Sequence, residues 1–163
     1  MTTPDHERRE AIELRNSGQF EESCAAFREL VSRFPENAEL NYQAAWSHDR
    51  AGLQPVAVGY YEQALRLPGL PEADREDALL GLGSTLRILG RHEESVAVLE
   101  QAAREFSEAN ALRAFLAISY FSAGAPEKAV GVLLHLLADT TADPSVRKYL
   151  RPIREYGDEF LAD

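Results

Sequence analysis

Small and large side chains alternate along this chain in a pattern with a period of about 34 residues, a length typical of helix–turn–helix repeat arrays. Four glycines, Gly18, Gly52, Gly90 and Gly124, mark the period. The first and third steps between them are equal, and the second is longer by four positions. Each glycine follows a stretch long enough for one helix. The pattern therefore predicts four consecutive helical hairpins, each with a helix A and a helix B, with these glycines in the turns.

The four repeats also agree on where small residues fall. When each glycine is taken as the fifteenth position, the repeats begin at Pro4, Ala38, Glu76 and Asn110. We expect small side chains where two antiparallel helices approach closely, and a large side chain at the twenty-fourth position to fill the space beside them. The eighth position holds Ala11, Ala45, Gly83 and Ala117, the twentieth Ser23, Ala57, Ser95 and Ala129, the twenty-second Ala25, Gly59, Ala97 and Gly131, and the twenty-fourth Phe27, Tyr61, Leu99 and Leu133.

The longer step between the second and third repeats lies in residues 67–74. Two prolines and a glycine in this stretch predict a loop, since both residue types interrupt helices. Asp74 is predicted to be the N-cap of the helix that follows, with Asp77 in its first turn. We therefore interpret the four extra residues as a loop within one domain.

Residues 144–161 follow a different pattern. Their apolar side chains recur every three or four residues, which predicts one amphipathic helix with a kink or restart at Pro152. Repeat arrays need a terminal element over the last exposed core, so we interpret this helix as a cap. The alternative is a detachable helix that occupies the groove of its own or a neighbouring chain. The apolar stripe consists of Val146, Tyr149, Leu150, Ile153, Tyr156, Phe160 and Leu161.

The period and the small-residue register resemble the tetratricopeptide repeat over roughly residues 4–141. Pro35 occupies the late proline position of that repeat, and Pro68 falls one residue early. The usual tryptophan of helix A is replaced in all four repeats, by Glu7, Asn41, Leu79 and Arg113. The chain is also similar to short stand-alone bacterial proteins of this family, which have no agreed activity.

The resemblance implies an all-α fold, a right-handed superhelical solenoid of four tetratricopeptide-like hairpins plus a C-terminal capping helix. It would form a single domain over residues 1–163, with repeats at about 4–37, 38–71, 76–109 and 110–143 and the capping helix at 144–161.

The resemblance also implies a concave surface lined by helix A residues. Trp46, the only tryptophan, falls there. Aromatic and arginine side chains are typical of interfaces, so the surface is predicted to bind a peptide or helix. Gly81 is expected to open the groove for a bulky partner side chain. The alternative is that the aromatic residues belong to the core. The predicted groove residues are Arg8, Arg15, Tyr42, Trp46, Asp49, Arg50, Leu80, Arg87, Phe115 and Ile118.

The carboxylate clamp of this family is not expected here. The resemblance places its five positions at Arg8, Ile12, Gln43, Asp77 and Gly81. Only Arg8 has a suitable side chain, and Asp77 has the wrong charge. Binding of acidic C-terminal chaperone tails by that mode is therefore not predicted.

His48 and Asp49 are the polar pair that most suggests chemistry. A histidine beside a carboxylate could serve a metal or a general base, but adjacent helical residues do not face each other. His48 is instead predicted to be a hydrogen-bonded core histidine, with Asp49 paired to Arg15 or Arg87. Cys24 is expected to pack as a small apolar residue. The sequence predicts no catalytic residue, metal or cofactor.

Charge and composition narrow the class of partner. The chain has 17 basic and 27 acidic residues, a net charge of -10, which argues against nucleic acid because phosphate neutralisation needs Lys and Arg. The N-terminal stretch does not resemble a signal peptide, and no apolar run is long enough to span a bilayer. We therefore expect a soluble, cytoplasmic protein that does not bind membranes.

The sequence favours a non-catalytic module that captures an unidentified protein or peptide in its groove. The alternative is a structural role, with self-association into a homodimer or larger homo-oligomer through the groove or the C-terminal helix. A third hypothesis is an enzyme centred on His48 and Asp49.

Overall fold

The computed structural model describes residues 4–162, and its regular elements there are all α-helices. The helices of the first two repeats are α1 (Pro4–Asn16), α2 (Phe20–Arg33), α3 (Ala38–Arg50) and α4 (Gln54–Arg66). Those of the next two are α5 (Glu72–Ile88), α6 (His92–Glu105), α7 (Asn110–Ser122) and α8 (Pro126–Thr140). Two more, α9 (Pro144–Arg147) and α10 (Leu150–Leu161), follow.

The four ladder glycines end the first helix of each repeat, as predicted. Their φ angles lie between +76° and +83°, a left-handed conformation that glycine adopts without steric cost. After Gly18, Gln19 donates its N–H to the carbonyl of Leu14 at 2.9 Å, and Leu53 and Ala125 make the same bond five residues back after Gly52 and Gly124. These turns are Schellman caps, in which glycine lets the chain reverse and still satisfy the last helical carbonyls.

The small-residue register is confirmed at two positions and wrong at the third. The residues at the eighth and twentieth positions are buried in all four repeats. At the twenty-second position Ala25, Gly59 and Ala97 are exposed, and only Gly131 is buried. A small residue there is therefore needed only where α10 covers α8. The large residue at the twenty-fourth position is buried in three repeats, whereas Leu133 is 47% exposed.

The extra residues of the second step lengthen a helix instead of forming only a loop. Helix α5 begins at Glu72 and has 17 residues, four more than α3 or α7. Pro71 holds the N-cap position without a side-chain bond, so the prediction of Asp74 as N-cap is wrong. Asp74 lies in the first turn, where a carboxylate is favourable to the helix dipole.

The C-terminal segment is two helices, and its break lies earlier than predicted. Asp143 caps α9 by accepting a hydrogen bond from the Ser145 N–H at 2.7 Å. The helix stops at Arg147 and α10 begins at Leu150, so the predicted restart at Pro152 is wrong. Proline is tolerated in the first turn of a helix, because its missing N–H has no intrahelical partner there.

The described residues form two compact units, one ending at Leu89 and the other beginning at Gly90. In the N-terminal unit, a core joins α1, α2 and α3 through Ala11, Phe27, Leu30, Leu40 and Ala44. In the C-terminal unit α7 packs on α6 and α8, and α10 packs on α8.

Candidate functional site

Trp46 is a large apolar side chain that the N-terminal unit holds partly in solvent. It lies on α3 and is 40% exposed. The guanidinium carbon of Arg15, on α1, lies 3.8 Å from its ring centroid. Tyr42, one turn earlier on α3, stacks with it at a centroid distance of 6.2 Å and an interplanar angle of 25°. Two neighbours therefore fix the orientation of the indole ring while part of its surface stays free.

Arg15 is a buried cation bound only by neutral groups. It is 4% exposed, and its Nη2 donates to the side-chain oxygen of Gln43 at 2.8 Å. Its Nη1 donates to the Gln43 carbonyl at 3.3 Å and to Ser47 Oγ at 3.4 Å, and its Nε is buried without a partner. Within residues 4–162 no carboxylate pairs with it. Burial lowers the pKa of Arg15 to about 10, so it remains charged at neutral pH.

Tyr42 belongs to the core, which corrects its predicted role as a groove contact. Only 4% of the residue is exposed. Burial raises the pKa of its hydroxyl, and so does the hydrogen bond to Asp77. Tyr42 therefore stacks with Trp46 and offers a partner little area of its own.

Asp49 is held by hydroxyl groups, so the prediction that it pairs with Arg15 or Arg87 is wrong. Thr85 Oγ1 donates to its carboxylate at 3.1 Å, and Tyr61 forms a second side-chain hydrogen bond. Burial raises the pKa of Asp49, and the two hydroxyl groups oppose that shift.

Gly81 makes room for Tyr61, not for a partner side chain. A Cβ atom built on Gly81 would lie 2.5 Å from the Tyr61 hydroxyl oxygen and 2.6 Å from its Cζ. Such distances are far inside van der Waals contact, so any larger residue would force the buried Tyr61 ring to move. The expectation that Gly81 opens the groove is wrong, because the ring of Tyr61 already occupies the space beside it. The hydroxyl of this tyrosine bonds Asp49.

The other predicted groove residues of the N-terminal unit have different surroundings. Arg8 forms an ion pair with Glu39. Arg50 is exposed, with its guanidinium 5.4 Å from the ring centroid of Phe20. Leu80 and Arg87 are half-buried. The structure thus brings together Arg15, Tyr42 and Trp46, while Arg8 and Arg50 have separate contacts.

In the C-terminal unit, both predicted groove residues lie on α7. Phe115 is half-buried and Ile118 is 46% exposed. Phe121, on the same helix, is 70% exposed. These side chains give α7 an apolar surface that stays partly open to solvent.

Buried hydroxyl pairs were missed in the sequence because they occupy positions interpreted as small. Ser23 Oγ lies 2.9 Å from Ser47 Oγ in the N-terminal unit, and Ser95 Oγ lies 2.8 Å from Ser119 Oγ in the C-terminal unit. Both pairs join the twentieth position of one repeat to the tenth of the next. The available signal was the recurrence of two serines at this same spacing, since a hydroxyl in a dry interface needs a partner.

His48 is a core histidine, as predicted. It is fully buried, and its Nδ1 lies 2.7 Å from the carbonyl oxygen of Ala44, so the neutral ring donates there. Its Nε2 is buried without a partner, and its ring lies 5.0 Å from that of Tyr60. Burial lowers the pKa of His48, because a proton on Nε2 would have no acceptor.

This burial predicts a pH-dependent stability. In the unfolded chain a histidine titrates near pH 6.5, at roughly its ordinary pKa. Between that pH and the lower folded pKa, the unfolded state binds more protons, so the free energy of unfolding decreases as the pH falls through this window. We expect urea unfolding from pH 8 to 5 to show a steeper loss for the wild type than for His48→Asn. The asparagine amide can still donate to Ala44, and the two proteins share every other histidine. Parallel pH curves would contradict this assignment.

Neither a metal cluster nor a membrane-spanning helix is found in the described part of the chain. No group of three or more His, Cys, Asp or Glu side chains within residues 4–162 is placed to hold a metal ion. Over the same residues, no helix combines the length and apolar character that crossing a membrane requires.

The described residues thus form repeated α-helices whose turns contain glycine, which defines the class of helix–turn–helix repeat proteins. The exposed Trp46 lies on the first helix of the second repeat. Family models described as tetratricopeptide repeat match residues 38–160 and 11–37. The chain therefore belongs to the tetratricopeptide repeat family, and the predicted fold class is confirmed. Repeats of this family generally mediate protein–protein interaction.

Two crystal structures share the fold. They contain the nearly identical TPR-like repeats of a Podosopora anserina protein assigned as a kinesin light chain, one of them with a single substitution. Each is 20% identical to this chain and covers 99% of it and 94% of its own length, with TM-scores of 0.74 and 0.73.

A curated human relative, an aspartyl/asparaginyl beta-hydroxylase, is 26% identical over 140 residues. The match covers 82% of this chain but 18% of the hydroxylase. This chain therefore spans less than a fifth of the length of that relative.

Proposed function

We propose that this protein is a non-catalytic binding module that captures a peptide or helix of another protein on the surface around Trp46. The observation that supports the proposal is the exposed indole held by Arg15 and Tyr42. Tryptophan is among the residues that most often dominate binding energy at interfaces. Membership of a family that generally mediates protein–protein interaction agrees with this role. The carboxylate-clamp mode is not part of it, since the residues at those positions do not suit it.

Preorganisation is the physical advantage of this arrangement. A free surface tryptophan loses rotamer freedom on binding, at a cost of about 0.5–1.5 kcal/mol for an immobilised side chain. Here the ring is already fixed by a cation at 3.8 Å and by a stacked tyrosine. Because the side chain has already lost this rotamer entropy on folding, binding loses less of it, and more of the contact energy contributes to affinity.

The cation on the ring also limits what the exposed part of the indole accepts. A positive charge prefers the electron-rich face of an indole, and Arg15 already uses this attraction. A second cation on the ring would be repelled by Arg15 and by Arg50. We therefore propose that the residue docked on Trp46 is apolar or aromatic, and that neighbouring ligand residues are neutral or acidic.

Peptide selection on the immobilised full-length chain tests the proposal. We expect enriched peptides to carry an apolar or aromatic residue without adjacent lysine or arginine, and to change the fluorescence of Trp46 when titrated. Trp46→Ala should weaken binding of those peptides at least tenfold, because their anchor contact is lost. Peptides that bind Trp46→Ala as well as the wild type would contradict the proposal.

A matched control separates binding from folding. Val56 on α4 is 47% exposed in the same unit, so Val56→Ala removes a comparably open apolar side chain. We expect this variant to bind the selected peptides normally. Circular dichroism should show full helix content for both variants, so a binding loss cannot be attributed to unfolding.

Hydroxylase chemistry is not included, because the human relative aligns over only 18% of its own length. The geometry does not favour an enzyme centred on His48, because this ring is fully buried and bonded to the α3 backbone.

A further inference from the structure

The C-terminal unit leaves a row of apolar side chains exposed along two packed helices. On α8, Val130 and Leu137 are each 42% exposed. On α10, Tyr156 is 59% and Phe160 36% exposed, and Tyr149, at the N-cap of α10, is 62% exposed. We call these residues, together with the half-buried Ile153, the α8–α10 face.

The contacts between the two helices define their relative direction. Gly131 meets Leu161, His135 meets Gly157, and Arg154 binds Asp139 at 2.7 Å. Residue numbers rise on one helix as they fall on the other, so α8 and α10 are antiparallel. The pair is close because glycines lie at the crossing, where a Cβ on Gly131 would be 3.0 Å from the Gly157 carbonyl oxygen.

The same register places the apolar row on one side of the pair. Residues three and four apart share a helix face, and this spacing joins Ile153, Tyr156 and Phe160 on α10. The polar anchors of α10 lie on the other side, where Arg154 binds Asp139 and His135 Nε2 contacts Asp158 at 3.0 Å. In the antiparallel register, Phe160 comes beside Val130 and Tyr156 beside Leu137, so the two apolar rows are adjacent.

The size of the face is enough for a small interface. Aromatic side chains present about 150–250 Å² each, and three of the members are aromatic. With the exposed fractions above, the six side chains leave roughly 500 Å² in solvent. This is within the range of the largest apolar patch on a typical monomer, and two such faces would together bury about 1,000 Å², the lower end for a specific interface.

The charges beside the row identify what fits it. Lys148 comes just before α10 and Glu159 lies in its last turn, and both are exposed. Arg151 and Glu155 already pair with each other within the helix, with Nε and Oε1 2.7 Å apart. An antiparallel pairing of α10 with a second α10 therefore brings Lys148 of each copy beside Glu159 of the other. In the same pairing Tyr149 faces Phe160, and Ile153 faces Tyr156. A two-fold axis satisfies both patterns at once, which is the requirement of an isologous interface.

We propose that the α8–α10 face pairs with the same face of a second copy of this chain. The dimer has antiparallel α10 helices at its centre, with Tyr156 buried near the two-fold axis and Lys148 opposite Glu159. The residues of this interface belong to the C-terminal unit, and those of the surface around Trp46 belong to the N-terminal unit.

Sedimentation velocity of the full-length chain over a range of concentrations tests the proposal. We expect a monomer–dimer equilibrium that Tyr156→Glu shifts to monomer, with the dissociation constant raised at least 100-fold. Phe121→Glu is the control, because Phe121 is 70% exposed on α7 of the same unit and outside the face. Circular dichroism should show that both variants remain helical.

Charge exchange tests the antiparallel register. We expect Lys148→Glu and Glu159→Lys each to weaken the dimer several-fold, and the double variant to restore most of the loss. A chain that stays monomeric at every concentration overturns the proposal. So does a dimer that tolerates Tyr156→Glu, or a double variant that dimerises no better than the two single ones.

Discussion

Replacing Arg15 with alanine is expected to lower the free energy of unfolding by about 3 kcal/mol, whereas methionine should cost about 1 kcal/mol or less. Both variants remove the hydrogen-bond donors to Gln43 and Ser47, and alanine also leaves a cavity beside Trp46, which is costly in a buried site. Methionine fills much of the space with a flexible apolar chain. It also removes a buried charge that has no carboxylate partner, and apolar substitution of a buried charge is often close to neutral.

Urea unfolding at pH 7 measures both variants. Arg50→Ala is the control, since Arg50 is an exposed arginine of the same unit and should change stability by less than about 0.5 kcal/mol. If alanine and methionine at position 15 destabilise equally, then the charge and its hydrogen bonds stabilise the fold more than the filled space does, and our account of Arg15 fails. The methionine variant also shows whether the cation is needed to orient Trp46, because indole fluorescence reports its exposure.

Gly81→Ala is expected to cost about 3 kcal/mol, although alanine is the better helix former. The added methyl group overlaps the Tyr61 ring, and overpacking of this kind costs about 1–3 kcal/mol. Displacing Tyr61 also weakens its hydrogen bond to the half-buried carboxylate of Asp49. Gly59→Ala should instead stabilise by about 0.5–1 kcal/mol, because Gly59 lies in α4 with no atom near the added methyl group.

A double-mutant cycle with Tyr61→Leu identifies the cause. If the clash with the tyrosine ring is responsible, Gly81→Ala should cost less than about 1 kcal/mol in the Tyr61→Leu background, because the overlapping atoms are gone. Thermal or urea unfolding of the four proteins gives the coupling energy. Fully additive effects would show that Gly81 is required for another reason.

The parts of the fold that depend on local chemistry could be predicted from the sequence. Gly52 and the other ladder glycines end helices through their own backbone conformation, so their spacing gave the hairpin boundaries directly. The start of α5 and the break before α10 could not be found in this way. Pro71 and Pro152 are each compatible with a helix that begins just before or after them, and packing decides between the two.

The candidate site was predictable only in outline. The family resemblance predicted a surface position for Trp46 from its place in the repeat, and the side chain is partly exposed. The resemblance could not show that the guanidinium of Arg15 packs on the indole ring, or that the buried Tyr42 bonds Asp77. These contacts depend on side-chain directions between different helices, and sequence spacing within one helix does not determine them. The prediction for Gly81 was wrong for the same reason, since the side chain of Tyr61, on another helix, fills the space beside it.

The buried serine pairs have a consequence for how this array can grow. The twentieth position reads Ser, Ala, Ser, Ala through the four repeats, and only the serine-bearing repeats meet a serine at the tenth position of the next. Deleting the third repeat would set Ser119 against Ala57 and leave its buried hydroxyl without Ser95, at a cost of about 1–3 kcal/mol. Deleting the second repeat would instead set Ser23 against Thr85, whose hydroxyl can take the place of that of Ser47. The cost of losing one repeat from this array therefore depends on which junction is rejoined.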